Sequence, residues 1–242
     1  MKTSIALLLT MVLSHLHGQT TIYPGGPEGD SASAYPFNST TGARYQQVYS
    51  GAALDFHPGG AWITDIVFRL DSGAGRSFGT TLQDIQINLS TTPAGEGSLS
   101  PVFVGNVGAN DTIVFDRGSM RISGIWSPGT SPQQFAIVLS LPRPFFYNPA
   151  EGNLLLDIRD FSGNGPDIPP FDATSNIDGV GRVFASDVNA LSGSADVTGL
   201  MTAFNFSTVP EPSTVSLVGF GVVVLGVIKF RQRRKRRNYA AD

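Results

Sequence analysis

Gly75, Ser77 and Gly79 are spaced as G-x-S-x-G, the pattern that presents a serine nucleophile on a sharp strand-to-helix elbow. Such a serine needs an acid and then a histidine later in the chain, and no histidine follows His57. A Ser-His-Asp triad in that order is excluded, and the two glycines read as a hairpin loop instead. His15 and His17 fall in the N-terminal segment read below as a cleaved signal peptide, which leaves His57, at the loop tip before Pro58-Gly59-Gly60, as one imidazole, too few for a multi-histidine metal centre. The chain has no cysteine, which removes disulfides, thiolate nucleophiles and cysteine-ligated metals. Hard oxygen donors are densest at Asp157, Asp160, Asp167, Asp172 and Asp178, a set that could serve Ca²⁺, which takes six to eight oxygens. The spacing is not that of an EF-hand, so a solvated acidic loop is the default. Two facing carboxylates could cleave a glycosidic bond, but the acids are dispersed and no spacing singles out a pair. Trp126, Phe145, Phe146 and Tyr147 could stack on sugars, with core packing expected to claim at least half of them.

The elements that would position these groups have a period of two. Ile66, Phe68 and Leu70 alternate with Asp65, Val67 and Arg69, and Ile85, Ile87 and Leu89 with Asp84, Gln86 and Asn88. The pattern returns at residues 135–141 and 154–159, which predicts half-buried strands. Shorter strands are expected at 44–50, 102–107, 112–115, 120–125, 181–185 and 200–206. Gly- and Pro-rich turns separate them at 57–60, 71–75, 92–95, 127–129 and 162–166. No long window between residues 19 and 208 carries a capped amphipathic helical stripe. About ten strands without crossover helices predict an all-β fold, an antiparallel β-sandwich with jelly-roll-like topology. A body of about 190 residues is large enough for a core that needs no disulfide.

The two ends are different objects. Residues 1–18 begin with Lys2, continue through an apolar run at 5–13 and close on the small residue Gly18, which describes an N-terminal signal helix cleaved after Gly18. At the other end, Pro210, Glu211 and Pro212 precede an apolar run at 214–228. Lys229, Arg231, Arg233, Arg234, Lys235, Arg236 and Arg237 follow it. The run is slightly short of a full span, and snorkelling by Lys229 and Arg231 would extend it. The cations resist translocation and hold the tail inside, so a single C-terminal transmembrane helix with the body outside is expected. The chain's net charge of −3 averages these parts. Between residues 19 and 209, eight arginines face seventeen acids with no lysine, a net −9 that disfavours nucleic acid as a partner.

Pro210-Glu211-Pro212, a short glycine-containing apolar segment and an Arg-rich cluster, in that order, resemble the PEP-CTERM protein-sorting signal of Gram-negative bacteria. The resemblance covers about the last thirty residues. It implies that Pro210, Glu211 and Pro212 are the recognition tripeptide for the membrane protease-transpeptidase exosortase, and that the basic cluster is a retention signal. It also implies a transient inner-membrane intermediate, removal of the tail, and delivery to the cell surface or extracellular matrix. The expected organisation is a signal peptide at 1–18, an extracellular β domain at 19–208, the sorting signal at 209–237 and a tail at 238–242. The expected role is structural or polysaccharide-binding, with no catalysis and no cofactor, Ca²⁺ being the one candidate ion. The alternatives are a secreted two-carboxylate glycan hydrolase and an ordinary single-pass anchored protein.

Overall fold

Irregularities in the strands decide which side chains face the interior. The computed structural model describes residues 19–23, 29–54, 59–163 and 167–207. The segments read as signal peptide, sorting tripeptide, transmembrane run and basic cluster lie outside the described residues, as does His57. Among the described residues no helix is long and apolar enough to cross a membrane.

The described chain is all-β, and its strand pairings are antiparallel. One sheet has the order β1 (Gln19–Tyr23), β13 (Thr202–Ser207), β4 (Ala61–Arg69), β7 (Phe135–Tyr147). A second has the order β11 (Ser194–Asp196), β10 (Val180–Ala185), β3 (Ala43–Tyr49), β8 (Asn153–Asp160), β5 (Phe78–Thr92), β6 (Thr112–Gly124). A small third sheet joins β12 (Gly199–Leu200), β9 (Phe171–Thr174) and β2 (Ser31–Ser33). From β3 to β5, and again from β6 to β8, successive strands cross between the two large sheets. Gly75 and Ser77 therefore lie in the connection from β4 to β5 across the sheets, Gly79 is already in β5, and the segment is not the hairpin loop expected from its glycines.

The large sheets share one apolar core. Ile63, Ile66, Phe68, Ile137, Leu139, Phe204 and Phe206 come from one, and Tyr45, Tyr49, Ile85, Ile87, Leu89, Leu154, Leu156 and Ile158 from the other. Ile63 and Ile66 differ in parity, yet both are buried, because the pairing of β4 shifts around Thr64. One extra residue flips the face of everything beyond it. The same effect buries both Leu82 and Ile85 on β5. On β7 the departure is larger: pairing with β4 stops at Ser140 and resumes at Phe145. In the intervening excursion Arg143 donates to the Ile113 carbonyl at 2.8 Å and pairs with Asp116 on β6, linking the edge strands of the two sheets.

Three strand expectations change. Residues 200–206 divide between β12 and β13, which lie in different sheets. Residues 112–115 and 120–125 are parts of one strand, β6, which ends at Gly124. Residues 102–107 hold a 3-10 turn (Phe103–Asn106) whose Phe103 packs with Leu99 on Val48, Leu155 and Val183, on the outer face of the six-stranded sheet. The connection from β5 to β6 thus covers that face, and β8 is buried on both sides instead of half-buried. Burying an aromatic ring in this way contributes about 2–3 kcal/mol.

Candidate functional site

The acidic residues singled out from the sequence are held apart by the sheets. Asp157 and Asp160 are three residues apart on β8 and so point to opposite faces. Asp157 Oδ2 accepts from Arg44 Nη2 at 2.9 Å, from Gln46 Nε2 at 2.9 Å and from Arg159 Nη2 at 3.4 Å, and its side chain is 3% exposed. Asp160 Oδ1 accepts from the Ser162 amide and hydroxyl at 2.9 and 2.8 Å and from the Gly163 amide at 3.2 Å, closing the turn after β8. Asp167 is exposed and lies 3.6 Å from Arg76. Asp172 Oδ2 accepts from Arg69 Nε at 2.6 Å, and its carboxylate takes the Gly29 amide at 3.2 Å. Asp178 accepts from the Thr174 hydroxyl at 2.8 Å. Among the described residues no three histidine or acidic side chains converge as a metal site. Asp157, Asp160, Asp172 and Asp178 each fasten a strand or a turn, and Asp167 makes only an exposed surface ion pair.

Two of the described carboxyl groups are held above the usual range. Burial pushes Asp172 above the usual carboxylate range, against the pull of Arg69. Desolvation likewise raises Asp111, with a smaller push from the charge of Asp157, while the hydrogen bond from Asn88 Nδ2 at 2.9 Å opposes it. Asp111 and Asp157 therefore feel one another, the arrangement a two-carboxylate hydrolase would need. Asp157, however, is closed off beneath the β5–β6 connection and held by two arginines, so a glycosidic oxygen has no route to it.

The other candidates resolve into structural roles. Ser77 Oγ accepts the Trp126 amide at 2.9 Å immediately before β5, so strand follows the serine where an elbow needs a helix. Trp126 is half-buried, with its indole N–H on the Ser72 carbonyl at 3.0 Å. Phe145 and Tyr147 are core residues. A cleft of about 160 Å³ lies between Glu96, Gly97, Leu99, Ala195, Asp196 and Val197. It is below the size of ordinary ligand pockets, and the Glu96 carboxylate in it is occupied by the Asp178 and Gly179 amides at 3.1 and 2.7 Å.

The outer face of the four-stranded sheet is organised differently. Trp62 is 42% exposed although Ala61 and Ile63 beside it are fully buried, and Phe146 is 37% exposed between buried Phe145 and Tyr147. The two are register partners across β4 and β7, and their rings meet edge-on with centroids 5.3 Å apart. The next outward row of the same face is polar. Ser140 Oγ donates to Asp65 Oδ1 at 2.8 Å, Asn205 Nδ2 donates to Asp65 Oδ2 at 3.3 Å, and Thr20 Oγ1 donates to Asn205 Oδ1 at 2.9 Å. These four residues are also register partners, so the row crosses all four strands. Of the aromatics named from the sequence only Phe146 is in the exposed pair. Trp62 gave no periodic signal, because its direction depends on the irregular register around Thr64.

A model of the PEP-CTERM protein-sorting motif matches residues 208–235, within two residues of the expected sorting signal at either end. The tail thus carries this motif, which implies processing by exosortase and sorting to the cell surface. The match begins at the residue after β13 and describes the tail, leaving the body to be read from its own geometry. No curated protein matches the chain.

Proposed function

We propose that the chain is an exported protein of the cell surface or extracellular matrix, made with a signal peptide at 1–18 and held in the inner membrane by residues 214–228 until exosortase acts at Pro210, Glu211 and Pro212. The sorting-motif match carries this reading. Lys229 and the arginines up to Arg237 retain the tail inside the cell until then.

The body, residues 19–208, is a non-catalytic jelly-roll β-sandwich with a structural or polysaccharide-binding role. Support for the topology comes from the orders β1-β13-β4-β7 and β3-β8-β5-β6, eight strands in two four-stranded sheets with β10 and β11 added at one edge. Support for the absence of catalysis comes from the engagement of the candidate carboxylates in ion pairs and turns. Ca²⁺ at Asp157, Asp160, Asp167 and Asp172 finds no such support, since each has a separate partner.

Intact mass of the protein recovered from its native cell surface tests the sorting. The expected mass lacks residues 229–242, and replacing Pro210, Glu211 and Pro212 with alanine is expected to leave the full tail on a protein trapped in the membrane. A surface protein that keeps residues 229–242 would be an ordinary single-pass anchored protein instead.

A further inference from the structure

We infer that the outer face of the four-stranded sheet, centred on Trp62 and Phe146, is a binding platform for an uncharged polysaccharide. This deepens the polysaccharide-binding reading of the body and rests on the body being outside the cell.

The chemistry of the face has two parts in register. Trp62 and Phe146 form an exposed aromatic step, fixed edge-on at 5.3 Å and set between fully packed neighbours, so that ordering these rings on a ligand costs little. Beside it runs the row Thr20, Asn205, Asp65, Ser140. On β13 the two rows are carried by Ser207 and Asn205, two residues apart, which is about 7 Å along a strand. An apolar surface flanked at that spacing by rigid hydroxyl, amide and carboxylate groups matches a sugar ring, whose C–H face is apolar and whose rim is hydroxyl. Asp65 is already fixed by Ser140, Asn205 and the Thr64 hydroxyl at 2.9 Å, so the row is preorganised. A carboxylate offers about four acceptor sites, which leaves capacity for a sugar hydroxyl.

Charge selects the class of polymer. Asp65 lies in the platform, and the net −9 of the surrounding body repels polyanions. An uncharged chain meets no such barrier. Trp62 and Phe146 are exposed on the sheet face, and an extended polymer needs no enclosed pocket.

The test is affinity electrophoresis of the protein extracted from its native cells in mild detergent, through gels containing hydroxyethylcellulose, galactomannan or glucomannan, with alginate as the anionic comparison. Retardation by at least one neutral polymer and none by alginate is expected. Trp62→Ala should weaken it roughly tenfold or more, the loss of one stacking contact. Trp62→Tyr, which keeps a ring, should stay within a few-fold, and Ile177→Ala, an exposed change in the connection between β9 and β10, should match the parent. Thermal unfolding of each variant separates lost binding from lost fold. No retardation by any neutral polymer, retardation that survives Trp62→Ala in a folded protein, or retardation by alginate alone would overturn the inference. So would Trp62-dependent binding to phosphatidylethanolamine–phosphatidylglycerol vesicles without glycan binding, which would assign the face to a lipid surface. The intact mass of the same preparation reports on the sorting independently, so the two readings fail separately.

Discussion

Asp111 shows how a single residue couples the body to pH. Its carboxyl is raised above the usual carboxylate range, mainly by desolvation, so the folded state holds the proton more firmly than the unfolded chain does. The stability this contributes is full below the unfolded value and is lost as pH rises through the raised folded value. Asp111→Asn keeps a side-chain oxygen for Asn88 and removes the titration. Urea unfolding midpoints measured from about pH 3.5 to about 6.5 should therefore fall more steeply with rising pH in the parent than in the variant. Asp30 and Asp84 shift the other way. The Ser175 amide and the Arg117 guanidinium respectively hold them below the usual range, so their contribution disappears on acidification below about 3.8. Both proteins share that effect, and it cancels in the comparison. None of these shifts was readable from the sequence, because Asp111 is one of many dispersed acids until the fold places Asn88 and Asp157 beside it.

Among the elements, the connection between β5 and β6 departs furthest from its sequence pattern. Val102, Phe103 and Val104 look like part of a short strand, yet the chain tightens into a 3-10 turn and inserts Phe103 over the six-stranded sheet. The Arg44 guanidinium lies 4.5 Å above that ring, and the Phe103 carbonyl accepts from Gln46 Nε2 at 3.1 Å. Asn106 completes the cover, donating to Gln46 Oε1 at 3.0 Å and to the Ser100 carbonyl at 2.8 Å. The close approach is enforced at Gly108, where a Cβ would fall 1.8 Å from the Thr91 carbonyl oxygen. Phe103→Ala should cost about 3–5 kcal/mol, read as a lowered urea midpoint at unchanged slope. By contrast β4, β5, β7 and β8 were legible, since alternation of apolar and polar residues over six or more positions specifies a strand whatever covers it. The short strands β2, β11 and β12 were not, being two or three residues long and defined by their partners.

At the scale of the whole molecule, β13 is the last strand before the sorting motif. It runs between β1 and β4 and ends at Ser207, and the sorting motif begins at the next residue. Ending the chain at Ser207 should abolish membrane fractionation while leaving the thermal midpoint of the body unchanged. A shortened chain still found in the membrane fraction would place the membrane-binding element in the body. The sequence by itself determined what is carried locally along the chain: the strand class, through period-two alternation, and the destination, through three sorting elements in fixed order that are read as linear signals. Only the tertiary structure decided the order of strands in the sheets, the burial of both faces of β8, the separation of Asp157 from Asp160, and the pairing of Trp62 with Phe146. Those depend on register shifts and on contacts between residues distant in the chain. One extra residue in a strand reverses every side chain after it, and no local pattern records where the partner strand will be.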